Sequence, residues 1–389
     1  MVIRNCNNCL LPFFLCLRFF CSYKLQLLQI CFIKDKKRWQ KTLRLAVNEQ
    51  ESKMYKIIRA LLFRMKAEHA HDFLVRVLTY YRYLSFLRNW VRHHYQVDRK
   101  SDVILNGIHF KNRVGLSAGF DKAGVCFDEL ADFGFGFLEL GTITVHPQPG
   151  NPKPRIFRLP KDESLISRTG FNNPGLKKFE ENLQQRTGNY VVGVNINRDP
   201  ASEGKDAVAD FLYQFQALYN HADYFTINWG SLDAALFEEV LQSLKDYRSG
   251  EAVSRPIFIK LPADIETAVL EQVIDLAHRM DVDGFIATGP TMNRSNLTHY
   301  SPGELEKIGP GGVSGKGIGN RSADVVRYLR AHETKHFTII GAGGIMTEQD
   351  VEIMRRAGAD LIQIYSAFIY SGPGIVKKMV EVQAETARN

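Results

Sequence analysis

Eight short apolar runs in this chain stop at small or polar residues, and those stops carry the side chains able to do chemistry. The first run, Arg113–Leu116, is followed by Ser117-Ala118-Gly119-Phe120-Asp121-Lys122. Later runs end at Gly141-Thr142, at Asn195, at Asn228 with Ser231 close behind, at Lys260, at Thr288-Gly289, at Gly341-Ala342-Gly343-Gly344 and at Tyr365-Ser366. In parallel α/β barrels the C-terminal strand ends share one face, and active sites form there. A glycine-rich turn after the seventh run and a small polar turn after the eighth predict a phosphate cradle. Backbone N–H groups and a helix start at Thr347 are its expected donors. Gly311-Gly312-Val313-Ser314-Gly315 adds a second loop of close approach. Two amides and a strand-end lysine beside such a cradle suit a flat, polar, phosphorylated cofactor. A lysine next to a flavin's pyrimidine ring stabilises the negative charge of its reduced form. Glycines that only shape turns, and a Lys260 that only forms an ion pair, are the plainer readings.

The elements that must position these residues follow a regular rhythm. Apolar runs at Arg113–Leu116, Phe135–Gly141, Tyr190–Ile196, Tyr224–Trp229, Pro256–Leu261, Gly284–Thr288, Phe337–Gly341 and Leu361–Tyr365 alternate with helical patterns. Those patterns include Gly175–Leu183, Ala207–Leu218, Ala235–Leu244, Ala268–Met280, Ala323–Leu329 and Glu348–Arg356. Eight such units in roughly 270 residues predict a (β/α)₈ barrel over 96–389, with a doubly wound open sheet as the alternative. Gly315, Gly317 and Gly319 do not join a strand directly to a helix, so a dinucleotide fingerprint is not expected.

Ahead of the barrel, Ile57, Ile58, Leu61, Leu62 and Met65, then Ala70, Phe73, Leu74, Val77, Leu78 and Tyr81, repeat at helical spacing. Residues 1–53 and 54–100 each hold ten Lys/Arg against three Asp/Glu. The first hundred residues therefore carry +14 and, with +8 over the chain, the remaining 289 carry −6. Basic charge confined to one end does not fit a nucleic-acid-binding face. It predicts an amphipathic two-helix domain over 54–95 resting on an anionic membrane surface, against the plainer reading of two helices packed on the body. Five of six cysteines lie in the first 31 residues, so no disulfide framework is expected in the body. Cys6-x-x-Cys9 has no partner pair at zinc spacing, so no metal is expected. Arg18 and Lys24 interrupt the early apolar stretch before it reaches the ~20 residues of a spanning helix. The cleaner pattern from Met54 marks the expected start, with 1–53 a non-native or unstructured extension.

The motifs "NRVGLSAGFDKAG", "FGFGFLELGTITVHPQPGNPKPRIFRLP", "GFNN", "GGVSGKGI", "IIGAGGI" and "QIYSAFIYSGPG" resemble the membrane-associated, quinone-dependent dihydroorotate dehydrogenases. The resemblance runs from Met54 almost to the C-terminus. It implies a two-helix membrane domain, a barrel binding FMN, and oxidation of dihydroorotate to orotate in pyrimidine biosynthesis. It places Ala118, Gly119, Lys122, Thr142, Asn195, Asn228, Lys260, Thr288, Gly315, Gly343, Gly344, Tyr365 and Ser366 at FMN positions. It also implies a quinone tunnel at His71 and Arg158, and substrate contacts from Lys122, Asn172, Asn228 and, in place of an Asn, Asp233. Ser231 falls in register with the serine that takes the C5 proton. The implied location is peripheral, on the cytoplasmic face of the cell inner membrane, or on the mitochondrial inner membrane in a eukaryote.

The substrate half departs from that pattern. Where the family reads N-V-S-S-P-N-T-x-G-L-R, this chain has Asn228-Trp229-Gly230-Ser231-Leu232-Asp233-Ala234 and no G-L-R segment. T-N-T-T becomes Thr288-Gly289-Pro290-Thr291, an Asn becomes Ser167, and Asn197 and Asp199 break N-x-G-K-N. Amides read a pyrimidine edge by donating and accepting together, so losing them weakens recognition. Three readings follow from the sequence: a dihydroorotate dehydrogenase, a barrel flavoprotein with another small substrate, or a non-catalytic FMN-binding paralogue.

Overall fold

The eight apolar runs are strands because each is short, rich in β-branched and aromatic residues, and buried on both faces, as parallel strands between barrel and helices must be. The structure, a computed structural model, describes residues 53–97, 101–230, 232–333 and 335–386. The expected extension thus lies, apart from Lys53, outside the described residues. From Met54 onward the chain folds as one compact unit.

In chain order the strands are β1 (Val103–Leu105), β2 (Ile108–Phe110), β3 (Val114–Leu116), β4 (Phe137–Ile143), β5 (Ile156–Leu159), β6 (Ser164–Ser167), β7 (Val191–Ile196), β8 (Tyr224–Asn228), β9 (Ile257–Leu261), β10 (Gly284–Ala287), β11 (Gly312–Gly315), β12 (Thr338–Ala342) and β13 (Leu361–Ile364). β3, β4, β7, β8, β9, β10, β12 and β13 pair in parallel and close into a barrel. All eight correspond to the runs read from the sequence, and the barrel replaces the open-sheet alternative. The intervening helices match in the same way, for example Gly204–Leu218, Ala234–Ser249 and Thr267–Arg279.

The lower barrel is plugged by side chains. Phe137, Val191, Tyr224, Phe258, Ile286, Ile340 and Leu361 pack around Phe110, which the antiparallel β1–β2 hairpin brings in from below. Small residues make room for the large ones. A methyl at Gly193 would lie 2.0 Å from the Tyr224 ring, and one at Gly115 would lie 2.4 Å from Phe137. Because the floor is filled, a ligand has access only from the strand ends.

Two features add to the expected plan. β5, β6 and β11 form a separate antiparallel sheet that carries Arg158, Ser167 and Gly315. The N-terminal segment is helical over 53–62, Ala67–Tyr81 and Ser85–Tyr95, so a third helix follows the two read from periodicity. Tyr55 donates to the carbonyl of Ile369 at 2.6 Å, and Phe63 meets the Tyr370 ring edge-on. Arg82 pairs with Glu129, while Arg88 and Arg92 pair with Asp132, which is buried. Part of the basic charge of this segment is therefore spent on docking to the barrel.

Candidate active site at the strand ends

Strand register brings the expected residues into one ring. Gly141 lies beside Asn195, Asn195 beside Thr226, and Asn228 beside Lys260. The two amides hold each other: Asn195 Nδ2 donates to Asn228 Oδ1 at 3.2 Å, and Asn228 Nδ2 returns a bond to Asn195 Oδ1 at 2.9 Å. Lys260 reaches inward from β9 to Glu139 Oε1 at 3.1 Å and Ser117 Oγ at 3.4 Å. It does form an ion pair, as the plainer reading held, yet it remains in the same ring as the amides.

Glu139 was missed at the level of sequence, as was Gln363, whose Nε2 donates to Glu139 Oε2 at 2.5 Å. Both sit inside their strands, in "FLELG" and "LIQI", away from the small or polar stops at the strand ends. A single charged or amide side chain at an inward barrel position was the available signal.

At the opposite corner, Gly343 (φ +91°) and Gly344 (φ +77°) adopt the left-handed backbone that glycine permits. A methyl on Gly343 would fall 2.7 Å from Ser322 Oγ, and one on Gly344 2.9 Å from the Gly319 carbonyl, so this corner is closed to larger residues. Thr288 Oγ1 shares a hydrogen bond with Ser322 Oγ at 2.7 Å, and Ser366 Oγ donates to Ser314 Oγ, next to Gly315, at 3.2 Å. This collects Thr288, Gly315, Gly343, Gly344 and Ser366, a set able to hold a phosphate. At the expected helix start, Met346 N and Thr347 N both donate to Asp350 Oδ2, at 2.9 and 2.8 Å, within a capping box, so these two N–H groups already have an acceptor.

Ala118 and Gly119 turn inward above β3. Gly119 N donates to the Gly141 carbonyl at 2.8 Å, next to Thr142, and Tyr365 OH reaches the Gly119 carbonyl at 3.5 Å. Lys122 Nζ donates to Thr169 Oγ1 and to Asn172 Oδ1, both at 2.8 Å, which joins two of the expected substrate residues. Burial, aided by the nearby Arg155 charge, lowers the Lys122 ammonium to about 8.

Asp233 has a structural task. It is exposed and caps the helix Ala234–Ser249, accepting from Leu236 N at 2.9 Å. Ser231, the expected base, lies outside the described residues. Asp199, another departure, is buried and accepts from His146 N at 3.1 Å and from the His146 ring, tying the β4 loop to the β7 loop.

His71 and Arg158, the residues expected at a quinone tunnel, lie along the seam with the N-terminal helices. His71 stands edge-on to Phe120 at 5.2 Å, and Phe120 stands edge-on to Tyr365 at 5.7 Å, a line of rings leading to the strand ends. Burial holds the His71 imidazole below its ordinary range, so it is neutral at pH 7. Arg158 donates to the Leu62 carbonyl at 3.1 Å and to that of Met65, and lies 4.5 Å over the Phe63 ring.

A sequence profile of the family described as dihydroorotate dehydrogenase matches residues 101–385. The chain belongs to this family. Proteins named dihydroorotate dehydrogenase (quinone) from Christiangramia forsetii and Methylibium petroleiphilum are 36% and 38% identical to it. Each match covers 83% of this chain, and 97% and 96% of the respective relatives. Among solved structures, DHODH from Eimeria tenella in complex with ferulenol superposes with a TM-score of 0.71 at 26% identity, over 82% of this chain and 91% of that one.

Proposed function

We propose that this chain oxidises dihydroorotate to orotate using FMN bound at the strand ends, and passes the electrons to a membrane quinone. The observation that carries this reading is the ring of Lys260, Asn195 and Asn228 facing the Gly343-Gly344 corner, in a chain of this family. The donor set fits FMN. Gly315, Gly343, Gly344 and Ser366, with Thr288 beside Gly343, would hold the phosphate; Ala118, Gly119, Thr142 and Tyr365 would line the ring system. The bound flavin supplies hydride acceptance and two-electron release.

This chain's own residues do the rest. Lys122, fixed by Thr169 and Asn172, presents an ammonium to the carboxylate of an anionic substrate. Asn228, held by Asn195, offers its amide to the pyrimidine edge. Ser231 takes the C5 proton, the role its register with the family's serine implies. Lys260 brings positive charge to where negative charge develops. His71, neutral, and Arg158 would hydrogen-bond the quinone oxygens where the N-terminal helices meet the barrel.

Among the described residues no helix is long and apolar enough to cross a membrane. Peripheral attachment is supported by Ile57, Leu61, Tyr80, Tyr83 and Phe86, all exposed beside Lys56, Arg64, Lys66 and Arg76. These exposed side chains support the proposed location at the inner-membrane surface, cytoplasmic in a bacterium or mitochondrial in a eukaryote. The reading is tested by assaying the purified protein with dihydroorotate and a soluble quinone. It expects orotate to appear in step with quinone reduction, and Ser231→Ala to slow flavin reduction by the ~10²–10⁴-fold of a lost general base. No orotate at saturating substrate would refute it.

A further inference from the structure

Glu139 and Lys260 are the only charged residues on the eight barrel strands among the described residues. The Glu139 side chain is fully buried, with no access to solvent. Three donors converge on its carboxylate: Lys260 Nζ at 3.1 Å and Asn195 Nδ2 at 3.2 Å on Oε1, and Gln363 Nε2 at 2.5 Å on Oε2. A buried carboxylate is costly, and it is kept where partners satisfy it. Here two of those partners, Lys260 and Asn195, are residues that line the ring at the strand ends.

We propose that Glu139 is a positioning residue that aims Lys260 and Asn195 and offsets the lysine's charge, and so sets the redox potential of the flavin. This rests on the FMN reading given above. Because Asn195 Nδ2 is drawn to Glu139, its Oδ1 is left to receive Asn228 Nδ2, which fixes how both amides face the ligand. Because the anion lies 3.1 Å from Nζ, a ligand at the strand ends meets a partly cancelled charge. Removing the anion exposes the full charge of Lys260 and favours the reduced, more negative flavin. Removing the cation does the opposite.

The test is an anaerobic redox titration of the FMN-loaded protein against an indicator dye. Glu139→Gln keeps the shape and loses the charge. It is expected to shift the reduced-to-oxidised ratio at fixed potential about tenfold towards reduced, which is ~30 mV for a two-electron couple. Glu139→Asp, which keeps the charge, is expected to stay nearer the wild-type potential. A Glu139→Gln holoenzyme with the wild-type potential would overturn the proposal. If that variant does not fold, Lys260→Met is compared with the Glu139→Gln/Lys260→Met double, whose interior is neutral. The double is expected to be the more positive of the two, and equal potentials would overturn the proposal. A wild-type protein that binds no FMN would instead defeat the cofactor reading, so the two failures are distinguishable.

Discussion

Lys122 shows how one side chain turns burial into a pH dependence. With its ammonium lowered to about 8 by desolvation and by Arg155, it is charged below that pH and neutral above it. If Lys122 holds the carboxylate of an anionic substrate as proposed, that binding should be complete below about 8 and lost as pH rises through it. The kcat/KM for dihydroorotate should fall about tenfold per pH unit on that limb, and Lys122→Met should remove the limb along with most of the activity. A profile flat to pH 10 would contradict the assignment. Asp233 is the complementary case. Asn caps a helix as well as Asp does, so Asp233→Asn should leave both Tm and KM unchanged, and an altered KM at constant Tm would restore it as a substrate ligand. Lys122, Asn195, Asn228 and Lys260 were legible in the sequence because barrel chemistry gathers where strands stop. Glu139 and Gln363 were not, because one inward polar residue in an apolar run gives no periodic signal. Asp233 was read by register alone, whereas its hydrogen bond is to its own helix.

The N-terminal helices are joined by an ion pair to the loop that carries Pro149 and Asn151. Glu68, on the helix Ala67–Tyr81, accepts from Arg155 Nε at 3.1 Å and Nη2 at 2.7 Å. Arg155 in turn donates to the carbonyls of Pro149 and Asn151, and weakly to that of Thr169, whose hydroxyl receives Lys122. Desolvation alone would raise the Glu68 carboxyl, but the bonds from Arg155 and Lys153 outweigh it and hold the group below its ordinary range. A depressed carboxylate contributes stability that is present at neutral pH and lost as pH falls through its folded value. Charge-assisted hydrogen bonds are worth ~1.5–3 kcal/mol. Glu68→Gln should therefore lower Tm and raise KM severalfold while leaving the flavin spectrum unchanged, as steady-state kinetics and a melting curve would show. An unchanged KM would mean that the helix docks without influencing the site. Periodicity revealed two helices here and missed Ser85–Tyr95, whose first turn mixes the exposed Ser85 and Phe86 with the half-buried Leu87 and Arg88. The sheet of β5, β6 and β11 was missed because its strands, IFRL, SLIS and GVSG, are broken by polar residues and glycine and do not stand out as apolar runs.

Across the whole molecule the charge is polarised, with +14 in the first hundred residues against −6 in the rest. The tally could not show that Arg82, Arg88 and Arg92 are occupied by Glu129 and Asp132. Lys56, Arg64, Lys66 and Arg76 remain exposed among exposed apolar side chains. The protein should bind anionic lipid vesicles and be released by raised salt, and deletion of residues 54–95 should abolish that binding in a flotation assay. Equal binding to neutral vesicles would remove the electrostatic part of this account. The barrel itself was legible strand by strand, because eight doubly buried runs alternating with amphipathic helices leave few other arrangements. The central claim is that the strand-end face oxidises dihydroorotate despite Ser167, Asp233 and Gly289. It is tested most directly by adding dihydroorotate anaerobically to the FMN-loaded protein and following the yellow absorbance. The account predicts that the flavin bleaches and orotate forms in equal amount, whereas an unbleached spectrum at millimolar dihydroorotate would contradict it.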